Sequence, residues 1–306
     1  MTGMNTDPHA MGESLRGLAL GDGFGERWFR HKGRAAVMIE QRQTPTEEPF
    51  RYSDDTVMAL SIVRTLLSAQ RISQRHLAEL FGATYVADPY RRYGAGMTDL
   101  LPRLHKTPDE FATYARELFG GAGSLGNGSA MRVAPLGAFF HEDMSRVVEE
   151  AALSAEVTHA HPEAIDGAIA VAVAAALAAA SRGKEPLPAA EFLGRVAELV
   201  PVGVIRAGVE AAADFDSKAH SWMAAEVLGN GSRIRCSDTV PFALWTAAVH
   251  LDDYESAMWA TAAGLGDVDT TCAITGGIVA ARTGIAGAPR TWLELREPLP
   301  EWTDAL

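Results

Sequence analysis

Cysteine is almost absent: Cys236 and Cys272 are the two among 306 residues, and neither stands at metal-ligand spacing from another cysteine or histidine. That excludes a disulfide framework and predicts two reduced thiols in a cytoplasmic protein. Positive charge is also scarce. Lys plus Arg number 27 against 39 Asp plus Glu, a formal charge of -12, which argues against broad binding to nucleic acid or anionic membranes and leaves room for a local basic pocket. The longest apolar run, 167–180, has 14 residues and is mostly alanine, short of the roughly 20 that span a bilayer. It predicts a helix buried among other helices. The first ten residues have neither the basic start nor the apolar centre of a signal peptide, and we expect residues 1–10 to be a disordered tail.

Alternating β-branched runs bounded by turns are missing too, as are repeats of 20 to 50 residues. Nearly every apolar pattern has helical spacing instead. With 47% hydrophobic residues the chain can bury a large core, so the expected fold is all-α, one compact helical domain over 11–306.

What is present in excess is oxygen-bearing side chains at two places. Ser53, Asp54 and Asp55 lie in YSDDTVM, and Asp267, Asp269 and Thr270 lie in GLGDVDTT. Carboxylates one or two residues apart repel one another unless solvent or a cation absorbs the charge. Carboxylates with hydroxyls suit Mg2+, Mn2+ or Ca2+ rather than zinc. Apolar helical runs follow both clusters, which places each in the first turn of a helix, where the macrodipole favours negative charge. Either cluster alone also reads as an acidic N-cap; two of them with matching D-D-T and D-x-D-T spacing favour one shared metal site.

Elsewhere glycine marks the informative stretches. GDGFG at 21–25 sits where helical spacing from Glu13 reaches Leu20, and its glycines let the backbone approach another backbone or a ligand; no β-branched strand precedes it, so it is not a dinucleotide fingerprint. Residues 30–51 read as an exposed loop or lid, and 94–96 as a glycine turn beside Arg91 and Arg92. The stretch 120–140 is a Gly-Ser-Asn loop leading into a helix, an arrangement that offers backbone N–H groups to phosphate or ribose. His159 and His161 precede another helix and read as scaffold rather than zinc ligands. Breaks are expected at Pro201, 229–232 and Pro241, and the tail 289–306 shows no catalytic content.

In order along the chain, GDGFG, SDDTVM, YGAGM, GNGSAMRVAPLG, THAHPEA and GDVDTT resemble the motifs of the ADP-ribosylglycohydrolase family, which includes the dinitrogenase reductase-activating glycohydrolases. The resemblance implies a compact all-α fold with two Mg2+ or Mn2+ ions, held here by Ser53, Asp54, Asp55, Asp267, Asp269 and Thr270. It implies release of ADP-ribose from a modified protein side chain or small conjugate, with a modified nucleic acid as a further acceptor class. By the same resemblance Asp55 and Asp269 are catalytic and Asp54 also meets substrate. Ser124, Gly126, Asn127 and Gly128 cradle the diphosphate, Gly94 and Gly96 lie against the ribose, and Phe119 and His159 lie near adenine. Ser53 stands where many members have Thr. The family's Glu after this glycine motif is displaced: Phe29 holds its usual place and Glu26 follows Gly25 directly, so Glu26 is taken as the acid or gating residue, with Glu40, Glu47 or Glu48 as substitutes.

Two other readings compete. The D-x-D-x-T of a phosphatase should follow a buried strand near the chain start, whereas here it follows ATAAGLG late in the chain. A non-catalytic ADP-ribose binder or crystallin-like relative would keep the pocket without turnover, but has no physical need for both clusters of oxygen donors.

Overall fold

Helical spacing in the sequence becomes helix nearly everywhere. The computed structural model describes residues 6–31, 33–46 and 49–306. Among them the backbone forms sixteen α-helices and short 3-10 turns, with no strand beyond a parallel bridge between Phe50 and Arg296. In order these are α1 (Pro8–Glu26), α2 (Ala35–Glu40), α3 (Asp54–Ala69), α4 (Gln74–Ala87), α5 (Ala95–Lys106), α6 (Phe111–Gly121), α7 (Ala134–Phe139) and α8 (Met144–Glu156). Then follow α9 (Pro162–Ala180), α10 (Ala189–Leu199), α11 (Val204–Asp214), α12 (Ser221–Leu228), α13 (Cys236–Val249), α14 (Tyr254–Ala262), α15 (Val268–Thr283) and α16 (Arg290–Leu295).

The centre is the antiparallel pair α1 and α15, which meet along most of their length. Gly17, Gly21 and Gly25 recur every four residues and so share one face of α1. A Cβ on Gly17 would sit 2.1 Å from Ala280 Cβ, on Gly21 2.2 Å from the Cys272 carbonyl oxygen, and on Gly25 2.4 Å from the Val268 carbonyl oxygen. The glycines of GDGFG therefore bring backbone to backbone, not backbone to ligand. This close seam is why α1 runs through them to Glu26, although each glycine costs a helix about 1 kcal/mol relative to alanine. The seam sets the C-terminal end of α1 against the N-terminal end of α15.

Around the pair, α7, α9 and α13 complete a core of alanine, valine and aromatic side chains. Helix α9 is long and apolar enough by composition to cross a membrane, yet 78% of its apolar window is buried inside the fold. Cys236 and Cys272 are free and buried. Beside the end of α1, Phe24 packs against Trp292 at 4.3 Å and edge-on against Trp259 at 5.1 Å, so an aromatic cluster joins α1, α14 and α16.

Several expectations change. Asp7 caps α1 by accepting from Ala10 N at 2.8 Å and Pro8 occupies its first turn, so residues 8–10 belong to the domain rather than to a tail; residues 1–5 lie outside the described residues. The stretch 30–51 is not simply an exposed lid: it carries α2 and buries Ala35, Ile39 and Phe50. Pro241 does not break the chain but lies inside α13. Pro201 and 229–232 do separate helices.

Candidate active site

The N-terminal turns of α3 and α15 carry the two acidic clusters, and the α1 seam brings both to one place. Ser53 is the N-cap of α3, its hydroxyl accepting from Asp55 N and donating to Asp55 Oδ2 at 2.9 Å. Asp267 occupies the N-cap position of α15 without a side-chain cap bond, and Asp269 stands in its first turn with Oδ1 accepting from Thr270 N. Between them stands Asp22 of α1, fully buried, which accepts from Ser53 N, Thr56 N and, at 2.6 Å, Thr56 Oγ1. Asp22 thus fastens the start of α3 to the central seam.

Five carboxylates meet here: Asp22, Asp54, Asp55 and Asp269 are buried, and Asp267 is half-buried. Burial first, then mutual repulsion, pushes their protons on. Asp54 is raised to about 8 by burial and by Asp22, and Asp22 to about 6 by burial against its hydroxyl and amide donors. Burial and the neighbouring carboxylates drive Asp55 and Asp269 well above the usual range. Asp55 Oδ1 is buried with no hydrogen-bond partner. Among the described residues no three His, Cys, Asp or Glu side chains stand close enough to hold one ion without moving. Their oxygens are engaged locally: Asp55 turns to Ser53, Asp269 to the Thr270 amide and Asp267 to Asn127. The donor set nevertheless fits hard divalent cations, since it is all oxygen, mutually repelling and leaves one carboxylate oxygen without a donor.

The Gly-Ser-Asn loop joins this cluster through Asn127, whose Nδ2 donates to Asp267 Oδ2 at 2.7 Å and to Thr239 Oγ1 at 3.0 Å. Ser124, Gly126 and Gly128 come together with His159: a Cβ on Gly128 would lie 3.1 Å from His159 Nε2, and one on Gly126 3.2 Å from Ser124 Oγ. His159 is buried and held neutral by burial and by Arg132. Arg132 Nη2 donates to Thr158 Oγ1 at 2.8 Å, which leaves the Thr158 hydroxyl proton for His159 Nδ1 at 2.7 Å. The network assigns the ring proton to Nε2, the nitrogen nearer the glycines.

Phe119 is set apart by its backbone. Helix α6 breaks at Leu118, and Phe119 takes φ +52°, ψ +45°, the left-handed region that a bulky residue seldom occupies. Its ring is exposed and reaches Gly96 of α5, where a Cβ would lie 3.3 Å from the ring. Gly94 caps that helix. The predicted glycine turn is thus the first turn of α5, facing an aromatic platform.

A cleft of about 900 Å³ opens over Ser53 and is lined by Glu26, Arg51, Tyr52, Arg91, Arg92 and Glu297 among others. Glu26, the last residue of α1, is buried, and its Oε1 accepts from Arg92 Nη2 at 2.5 Å. Arg92 also lies over the Phe29 ring at 5.4 Å, so Phe29 packs the arginine that holds Glu26. Glu40 is exposed at the end of α2 and is not part of the cleft wall; Glu47 and Glu48 lie outside the described residues. The sequence reading missed Asp22, Thr56, Arg132 and Thr158. The one signal for Asp22 was a lone acid among helix-spaced glycines.

The fold and the side-chain network define an all-α protein with a carboxylate cluster beside a Gly-Ser-Asn loop, and the cleft wall reaches that cluster at Ser53. The chain belongs to the ADP-ribosylglycohydrolase family, whose profile matches residues 9–306. It is 30% identical over 290 residues to ADP-ribosylhydrolase ARH3 of Bos taurus, covering 85% of this chain and 77% of that protein. It is 27% identical over 298 residues to ADP-ribosylarginine hydrolase Tri1 of Pseudomonas putida, covering 92% and 72%. A solved structure described as an ADP-ribosylglycohydrolase-related protein complex shares the fold, with a TM-score of 0.68 and 22% identity across 97% of this chain and 95% of that one. Family membership makes the chain an ADP-ribosyl-acceptor hydrolase.

Proposed function

We propose that the chain hydrolyses, with two Mg2+ or Mn2+ ions, the N- or O-glycosidic bond between ADP-ribose and a modified side chain or small conjugate, releasing ADP-ribose. The observation that carries this reading is the meeting of both acidic clusters around Asp22, with Asp55 Oδ1 left without a donor, one side chain away from the Gly-Ser-Asn loop. Ser53, Asp54, Asp55, Asp267, Asp269 and Thr270 would hold the ions, which when bound supply Lewis acidity toward sugar hydroxyls and water.

The remaining work falls to the chain. Cleavage at the anomeric carbon passes through an oxocarbenium-like state and needs an oriented water and a rigidly held ribose. Ser124, Gly126, Asn127 and Gly128 suit the diphosphate through the Ser124 hydroxyl and the backbone N–H groups of the turn, while the Asn127 side chain, with both N–H groups on Asp267 and Thr239, holds the loop to the cluster. His159 Nε2–H offers a donor beside them, and exposed Phe119 offers adenine a stacking face while Gly94 and Gly96 leave room for ribose. Glu26, ion-paired with Arg92, is a carboxylate suited to orienting water or facing positive charge at the anomeric carbon. Asp55 and Asp269 are its catalytic companions in this reading.

Release of free ADP-ribose from arginine-linked, serine-linked and DNA-linked conjugates, each with Mg2+, Mn2+ or EDTA, tests it. Cation-dependent release from one or more conjugates is expected and identifies the acceptor. Tight ADP-ribose binding without release from any of them would instead mark a binder.

A further inference from the structure

The C-terminal segment, which shows no catalytic content in the sequence, is tied into the acidic site. Trp292 of α16 anchors it, packed on Phe24 and donating Nε1–H to Thr44 Oγ1 at 2.8 Å. Beyond α16 the backbone pairs with Phe50: Phe50 N donates to Leu295 O at 2.7 Å, and Glu297 N donates to Phe50 O at 2.9 Å. From that anchored position the Glu297 carboxylate reaches back over the start of α3. Its Oε2 accepts from Tyr52 N at 3.2 Å and Arg91 Nη1 at 2.9 Å, and its Oε1 accepts from Arg91 Nη2 at 2.8 Å.

Arg91 closes the other side. Nη1 donates to Tyr52 O at 2.9 Å, Nε donates to Asp88 Oδ2 at 2.8 Å, and the guanidinium lies 4.6 Å over the Tyr52 ring. The Arg91 carbonyl then accepts from Asp54 N at 2.7 Å. Residues 52–54 precede the helical ladder of α3, so their polar backbone groups need partners from elsewhere. Tyr52 N, Tyr52 O and Asp54 N find them in this clamp, and Ser53 N finds Asp22.

We propose that the Arg91–Glu297 pair, in the cleft wall, is the positioning device for Ser53, Asp54 and Asp55: it acts by fixing the backbone from which those side chains hang. This rests on the hydrolase reading of the site above. As an ion pair between side chains roughly a fifth exposed it contributes little by charge alone. What it supplies is geometry, because the planar fork of arginine meets both Glu297 oxygens, the Tyr52 carbonyl and Asp88 at fixed angles, whereas lysine offers three donors on one freely rotating atom. Groups that orient metal ligands typically change affinity or turnover 10- to 100-fold when removed.

The test compares Glu297→Gln and Arg91→Lys with the wild type, using Arg290→Ala, an exposed i,i+4 pair on α16, as control. Hydrogen exchange is followed over residues 50–58, Mn2+ affinity by calorimetry, and kcat and KM on the best conjugate. Expected in both variants are faster exchange confined to 52–54, Mn2+ binding weakened about tenfold and kcat lowered by a similar factor. ADP-ribose affinity should stay near the wild-type value, because the Ser124–Gly128 loop is untouched. Exchange and Mn2+ affinity equal to wild type would overturn the proposal, as would faster exchange spread over the whole chain. Should the wild type neither bind Mn2+ nor release ADP-ribose, the hydrolase reading fails, and exchange at 52–54 alone decides for or against the clamp.

Discussion

Asp55 combines burial, a hydroxyl bond on one oxygen and nothing on the other. Such a residue serves function at the expense of stability. Asn cannot ionise, so it removes the repulsion that Asp55 adds to the set as pH rises, and Asp55→Asn should raise the melting temperature in EDTA at pH 8 by a few degrees, the size of a ~1 kcal/mol gain in a chain this long. Mn2+ binding and turnover should be lost together in that variant. Calorimetry with unchanged Mn2+ affinity would remove Asp55 from the site, and Asp269→Ala should behave alike. For Asn127→Ala, which deletes the bonds to Asp267 and Thr239 that hold the Gly-Ser-Asn loop on the cluster, ADP-ribose affinity should fall about tenfold. Residues 53–55 and 267–270 were legible because their crowding is local in sequence. Asp22 and Arg132 were not, since what makes them matter is who faces them: Ser53 and Thr56 for Asp22, Thr158 and the Phe81 ring for Arg132.

Among the helices, α1 and α15 show how propensity yields to packing. Gly194 in α10 and Gly21 in α1 are both helical glycines, yet a Cβ on Gly194 meets nothing within 4 Å while one on Gly21 meets the Cys272 carbonyl at 2.2 Å. Gly194→Ala should stabilise by ~0.5–1 kcal/mol, and Gly21→Ala should destabilise by ~3 kcal/mol or more because neither backbone can yield. Urea unfolding of the two variants gives opposite displacements of the midpoint; a Gly21→Ala protein as stable as wild type would mean that α1 and α15 do not pack as described. Apolar spacing made helices readable where it is regular: the run 167–180 falls inside α9, and the spacing from Glu13 to Leu20 falls inside α1. What escaped was continuity: α1 continuing past Leu20 and α13 running through Pro241 both depend on neighbours far away in the chain. The left-handed turn at Phe119 escaped as well, since the sequence carries a helical pattern up to that residue.

At the scale of the whole molecule, the acidic cluster sets the pH response. Asp54 is raised to about 8 and Asp22 to about 6, against 3.8 for both when exposed. The folded state therefore holds protons that the unfolded chain has released, so this contribution to stability is complete below about pH 4 and is lost as pH rises toward 8. Without divalent cations the protein should melt at a lower temperature at pH 8 than at pH 5.5, and adding Mn2+ should raise melting far more at pH 8, because cations replace the protons. A cation-free melting temperature that rises steadily from pH 5.5 to 8 would contradict the burial of these carboxylates. The seam that gathers them has one more consequence, in time rather than energy. During synthesis Cys272 follows its contact Gly21 after 251 residues, and at about 5–20 residues per second that interval lasts roughly 12 to 50 seconds. Throughout it, the glycine face of α1 lacks its α15 partner, so a nascent chain of this protein should depend on chaperone cover until α15 is made.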